Sequence, residues 1–92
     1  MIIRILGEGQ FTVPAAEVDR LNELDAGVEA AIAAGDEAGF AAALAGLLGH
    51  VRATGTPVPA EELVPSEALL PPADAVLAEA RDMLREDGLI PG

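Results

Sequence analysis

Residues 17–52 have the sequence EVDRLNELDAGVEAAIAAGDEAGFAAALAGLLGHVR, which predicts two amphipathic helices joined at Gly35-Asp36. In both halves apolar side chains recur at steps of three and four residues, the spacing that places them on one helix face. They are Val18, Leu21, Leu24, Val28 and Ile32 in the first helix and Phe40, Leu44, Leu47, Leu48 and Val51 in the second. Because neither apolar face is stable in water, we expect a helical hairpin covered by the rest of the chain.

The residues at the helix ends support this hairpin. Pro14 precedes the first helix, Gly35 suits a helix C-terminus, and Asp36 is an N-cap residue. Gly55 and Pro57 end the second helix. The two helices are therefore expected at about residues 15–34 and 36–54, with bounds good to a few residues.

The segment before the helices predicts a β-hairpin over residues 1–13. Its strand-forming runs are Ile2 to Leu6 and Phe11 to Val13, and Gly7-Glu8-Gly9 supplies a turn that tolerates positive φ. Because a lone two-stranded ribbon is marginal in water, it requires the helices, a third strand or another chain. Its isoleucine-rich edge favours pairing with a neighbour.

The segment after the helices begins as a strap, because five prolines fall between Pro57 and Pro72. We expect it to be extended and held against the helical hairpin, with Leu63-Val64 available to add a short strand to the ribbon. A third helix follows at about residues 72–87, and Gly88 ends it. Its expected buried face consists of Val76, Leu77, Ala80, Met83 and Leu84.

The predicted fold class is therefore α+β, in a single domain over residues 1–92. An N-terminal β-hairpin, an α-helical hairpin, a proline-rich extended strap and a C-terminal helix follow one another. With only two aromatic residues and no cysteine, the core consists of Leu, Val, Ile and Ala, and no disulfide or thiolate metal site can form.

The composition excludes several classes of partner. Sixteen acidic and five basic residues give a formal charge of −11, which repels nucleic acid and disfavours direct binding to an anionic membrane. The apolar run Met1–Leu6 is too short for a signal peptide or a membrane span. We therefore expect a cytoplasmic protein that does not bind the inner membrane face directly.

No residue pattern indicates catalysis. His50 has no serine or cysteine nucleophile at recognisable spacing and no second histidine for a metal. Gly7-Glu8-Gly9 lacks the third glycine of a nucleotide loop. Ser66 lacks the preceding Asp and following Leu of an acyl-carrier motif. The many carboxylates form no calcium loop. We expect no enzymatic activity and no cofactor or metal.

Four segments of the chain, taken together in order, resemble the PspA-associated protein family (PspAA). These are MIIRILGEGQF at residues 1–11, GTP at 55–57, ELVPS with LPP at 62–66 and 70–72, and GLIPG at 88–92. The resemblance implies a small non-enzymatic protein that accompanies a PspA-type protein, a long helical membrane-remodelling component of the bacterial envelope-stress response. It carries over no catalytic residue.

The primary hypothesis is thus an adaptor that binds and modulates a PspA-type coiled-coil protein. The alternatives are a self-associating structural module that pairs through its ribbon as a homodimer, and an enzyme with carboxylates around His50. Apolar side chains expected to be exposed for a partner lie in the hairpin, the strap and the chain end: Ile3, Ile5, Phe11, Leu63, Val64, Leu89 and Ile90.

Overall fold

The fold is α+β, as predicted, and the residues that the structure describes form a four-stranded sheet and three helices. A computed structural model describes residues 1–62 and 64–83. The elements in chain order are β1 (Ile2–Ile5), β2 (Gly9–Thr12), a 3-10 turn (Ala15–Glu17), α1 (Val18–Ala34), α2 (Glu37–Thr54), β3 (Thr56–Pro57), β4 (Ala68–Leu70) and α3 (Leu77–Met83).

The predicted β-hairpin forms the centre of the sheet. Strands β1 and β2 pair antiparallel, with Ile3 opposite Phe11 and Arg4 opposite Gln10. Gly7 and Gly9 in the turn have φ values of 85° and 120°, in the region that glycine adopts without a steric penalty. The strand order is β3-β2-β1-β4, so the ribbon gains one neighbour on each edge.

The helical hairpin is also present and packs on one face of this sheet, called here the inner face. Gly35 ends α1 with φ 67°, and the Asp36 side chain caps α2 by accepting a hydrogen bond from the Gly39 N–H at 3.0 Å. Most of the predicted apolar stripe is buried: Leu21, Val28, Ile32, Phe40, Leu44, Leu47, Leu48 and Val51. With Ile3 and Ile5 these side chains form one core.

The strap adds strands to both edges of the sheet, at positions other than the one predicted. Thr56–Pro57 pairs antiparallel with β2, and Ala68–Leu70 pairs parallel with β1. The prediction of a short strand at Leu63-Val64 is wrong for Val64, which belongs to no strand. Leu63 lies outside the described residues. The Val64 carbonyl accepts from the Gln10 side chain at 2.9 Å, and Pro65 has no N–H to donate to a ladder.

Helix α3 begins at Leu77, later than the predicted start near residue 72. A turn precedes it, with the Ala75 N–H bonded to the Pro72 carbonyl. The Glu79 carboxylate then accepts from the Val76 N–H at 3.1 Å, which is one half of a capping box. Val76 is consequently exposed, whereas Leu77 and Ala80 are buried as predicted. The expected end of this helix at Asp87 and its Gly88 cap lie outside the described residues.

Candidate protein-binding surface on the sheet

The side chains proposed from sequence as exposed occupy three different environments. Ile3 and Ile5 are fully buried, so the expectation that they are exposed is wrong. They alternate with Arg4 along β1 and point to the inner face, where the helices cover them. Phe11 and Val64 are half-buried. Leu63, Leu89 and Ile90 lie outside the described residues.

The opposite side of the sheet, called here the outer face, carries the accessible side chains. Leu69, Arg4 and Gln10 occupy one row across β4, β1 and β2. The Leu6 N–H donates to the Leu70 carbonyl at 3.0 Å, so the pairing and its alternation extend to Leu6. Leu6 and Leu69 remain 36% and 37% exposed. Leu69 lies beside the exposed Arg4 on the neighbouring strand, and Leu6 lies two residues after Arg4 in the chain.

The strap is anchored to this outer face by Gln10, whose side chain is buried. Its Nε2 donates to the Val64 carbonyl at 2.9 Å and to the Ser66 hydroxyl at 2.7 Å. The Gln10 carbonyl in turn accepts from the Val58 N–H at 2.9 Å. These bonds hold the strap above β2 while leaving Arg4 and Leu69 uncovered.

A cavity of about 490 Å³ lies between the strap and the sheet. Arg4, Gln10 and Phe11 line it from the sheet, and Val58 and Val64 line it from the strap. Glu8 and Glu62 also border it. Its volume falls within the range of about 300–1,000 Å³ that is typical of ligand pockets. The lining thus combines apolar side chains with one cation and two carboxylates.

Arg4 differs from the other arginines in the described part of the chain. Arg20 pairs with Glu23 at 3.0 Å, Arg52 pairs with Glu8, and Arg81 donates to the Ile32 carbonyl at 3.2 Å. Across residues 1–62 and 64–83, Arg4 makes no such bond. Its guanidinium is therefore available to a ligand at the mouth of the cavity.

The hairpin turn beside the cavity is fixed to α2. Glu8 accepts two hydrogen bonds from the Arg52 guanidinium, one of them from Nε at 2.8 Å. This bidentate contact lowers the pKa of the Glu8 carboxyl below its ordinary value and raises the pKa of Arg52. Glu8 is thus engaged within the chain rather than by Arg4.

The residues considered for catalysis have structural contacts. His50 Nε2 lies 2.8 Å from the Glu17 carboxylate and joins α2 to the 3-10 turn. Ser66 bonds Gln10 in the strap. Among the residues that the structure describes, no three His, Asp or Glu side chains are grouped closely enough to hold a metal ion. In the same part of the chain no helix is long and apolar enough to cross a membrane.

Sequence reasoning missed Arg4, Leu6, Gln10 and Leu69 as surface residues. The alternation of Ile3, Arg4 and Ile5 could have assigned Arg4 to the solvent side of β1. No local signal could have assigned Leu69 to the same row, because its pairing with Arg4 joins residues distant in sequence.

Comparison with known proteins agrees with the resemblance of the four sequence segments. Neither the curated proteins nor the solved structures provide a match to this chain. The family model of the PspA-associated proteins, by contrast, matches residues 1–92. The chain belongs to the PspA-associated protein family.

Proposed function

We propose that this chain is a non-enzymatic adaptor that binds a PspA-type coiled-coil protein and modulates its action in the bacterial envelope-stress (phage-shock) response. The observation that carries the proposal is the match of the PspA-associated family model to residues 1–92. The family name implies association with PspA. Binding by this chain and its effect on the partner are the further steps that we propose.

The surface chemistry supports a protein partner. Leu6 and Leu69 share the outer face with Arg4, next to a preformed cavity. Protein interfaces commonly combine apolar contacts with arginine. A coiled-coil helix offers the matching features, because it carries apolar side chains with charged side chains one turn away.

Co-purification from the native host tests the proposal. The chain is given an affinity tag and expressed at its natural level, and the PspA-type protein encoded alongside it is detected in the eluate. We expect enrichment of that protein at near-stoichiometric amount. Recovery no greater than with an unrelated tagged acidic protein would contradict the adaptor function.

The proposed location is cytoplasmic, with membrane contact only through the partner. The net charge of −11 supports this, because an anionic lipid surface repels such a chain. Sedimentation with anionic vesicles provides the test. We expect the chain to remain in the supernatant alone and to sediment when the PspA-type protein is added. Sedimentation without the partner would contradict the proposed location.

A second candidate function is self-association, which the sequence predicts at the N-terminal ribbon. Both edges of that ribbon pair within the chain, with β3 and β4, so we propose the exposed edge of β4 instead. This strand lies at the edge of the sheet and carries the exposed Leu69. Edge strands can pair with a second chain, whereas β3 at the other edge is protected by Pro57. A dimer mass for the isolated chain at high concentration would support this candidate, and a strictly monomeric mass would exclude it.

A further inference from the structure

We propose that the outer face receives a partner helix, with Arg4 pairing to a carboxylate of that helix and the cavity beneath the strap accepting a neighbouring apolar side chain. The inference rests on the proposed function, since it assigns the surface by which the adaptor binds its coiled-coil partner. It names the chemistry of the bound segment as a carboxylate beside an apolar residue.

Arg4 carries a positive charge that pairs with no carboxylate in the described part of the chain. The chain has sixteen acidic residues for five arginines, so carboxylates are abundant. Arg20 and Arg52 each pair with one. Arg4 does not, although its backbone is fixed in a central strand. A guanidinium binds a carboxylate through two parallel hydrogen bonds, which a glutamate or aspartate of a partner would supply.

Exposed apolar side chains lie near Arg4 on the outer face. Three large hydrophobic residues are exposed in the described part of the chain, namely Leu6, Leu69 and Val76. Two of them, Leu6 and Leu69, share the outer face with Arg4. An arginine with exposed leucines nearby can form an ion pair that apolar contacts with the partner shield from water. Such shielding strengthens the pair relative to one in open solvent.

A cavity lies next to Arg4, beneath the strap. Gln10 holds the strap in place through the bonds to Val64 and Ser66, so the cavity exists before a ligand arrives. A preformed pocket avoids the entropic cost of ordering a loop on binding. Val58 and Val64 supply apolar lining for an inserted side chain.

A helix satisfies both requirements at once. Residues three or four positions apart lie about 5–6 Å from each other on one helix face, so a carboxylate and an apolar side chain can reach Arg4 and the cavity together. Coiled-coil helices carry charged residues directly beside their apolar seam. A second copy of this chain is a poorer occupant, because two chains of charge −11 repel each other.

Two matched pairs of variants test the surface by titration against the PspA-type protein. Arg4→Glu and Arg20→Glu change the net charge equally, but Arg20 lies on α1, in an exposed pair with Glu23. We expect Arg4→Glu to weaken binding at least about tenfold and Arg20→Glu to change it by less than about twofold. Leu69→Ser should likewise weaken binding more than Val76→Ser, which alters an exposed apolar residue in another part of the fold. Circular dichroism and the melting temperature establish that each variant is folded.

The possible results distinguish failure of the assigned binding surface from failure of the proposed adaptor function. Wild-type binding with a selective loss in Arg4→Glu supports the assignment. Restoration of that variant by a Glu→Arg change in the partner would identify the paired carboxylate. Wild-type binding with equal effects of Arg4→Glu and Arg20→Glu overturns the surface but retains the adaptor function. Absence of wild-type binding overturns both. A dimer of the isolated chain that Arg4→Glu dissociates would make a second copy the occupant and overturn the partner-helix assignment.

Discussion

Gln10 Nε2 lies 2.7 Å from the Ser66 hydroxyl, which joins the central hairpin to a segment 56 positions later in the chain. The same nitrogen donates to the Val64 carbonyl. These contacts fix the strap over the outer face and define the cavity next to Arg4. The geometry of the candidate binding surface therefore depends on one buried amide.

Replacing Gln10 by alanine should release the strap. We expect the free energy of unfolding to fall by about 1–3 kcal/mol, because the Val64 carbonyl and the Ser66 hydroxyl lose their hydrogen-bond donor in a partly buried contact. Urea denaturation measures this change. Hydrogen exchange of the Val58 and Glu67 amides, which bond the Gln10 and Ile2 carbonyls, should accelerate more than exchange in α2.

Ser66→Ala is the matched control for Gln10→Ala. It removes one of the two bonds donated by the amide, so we expect a smaller loss of about 0.5–1.5 kcal/mol. A loss in Ser66→Ala equal to or greater than that in Gln10→Ala would show that the amide does not anchor the strap.

The Glu8–Arg52 pair should add a pH-dependent contribution to stability. Because the hydrogen bonds from Arg52 hold the pKa of Glu8 below its unfolded value, the contribution is present above the unfolded pKa and is lost as the pH falls through the lower folded pKa. We expect Glu8→Gln to destabilise the protein at pH 7 by about 0.2–1 kcal/mol, since both side chains are partly exposed.

Chemical denaturation of the wild type and Glu8→Gln at several pH values tests this contribution. Their difference should shrink from pH 7 toward pH 3. Glu23→Gln removes the exposed pair with Arg20 on α1 and serves as a control, with an expected change near zero. A Glu8→Gln difference that grows on acidification would contradict the predicted sign.

Two glycines of the helical hairpin should respond to alanine in opposite directions. Gly35 adopts φ 67° at the end of α1, so Gly35→Ala should destabilise by about 1–2 kcal/mol. Gly46 lies within α2, and a methyl group there would meet no neighbour within 4 Å. Gly46→Ala should therefore stabilise by about 0.5–1 kcal/mol.

Thermal unfolding of these two variants gives the comparison directly. Both change the same atoms in the same pair of helices, so the difference isolates the backbone conformation at Gly35. A melting temperature raised by Gly35→Ala, or lowered by Gly46→Ala, would contradict the described helix boundaries.

The sequence predicted those parts of the fold that depend on local signals. The helical hairpin follows from residue spacing and from Gly35-Asp36, and the β-hairpin follows from its two turn glycines. The prediction that Ile3 and Ile5 are exposed was wrong, because the apolar face of the strand, which alternates with Arg4, is the face that the helices cover.

The missed features arise from contacts between distant parts of the chain. The Val64 carbonyl accepts a hydrogen bond from the Gln10 amide rather than from a neighbouring strand. The strand that pairs with β1 forms at Ala68–Leu70, not at the predicted Leu63-Val64. The Leu77 N–H at the start of α3 donates to the Glu37 carboxylate, 40 positions away. Neither contact leaves a periodic signal in the sequence. The outer face was missed for the same reason, since its row combines Arg4 with Leu69.

Light scattering coupled to size exclusion tests the central claim most directly, on the purified chain alone and mixed with the PspA-type protein encoded alongside it. Our account predicts a shared peak whose mass exceeds that of the PspA-type protein alone, with both chains present in the fraction. Two separate peaks at concentrations well above micromolar, with this chain at its monomer mass, would contradict stable adaptor binding.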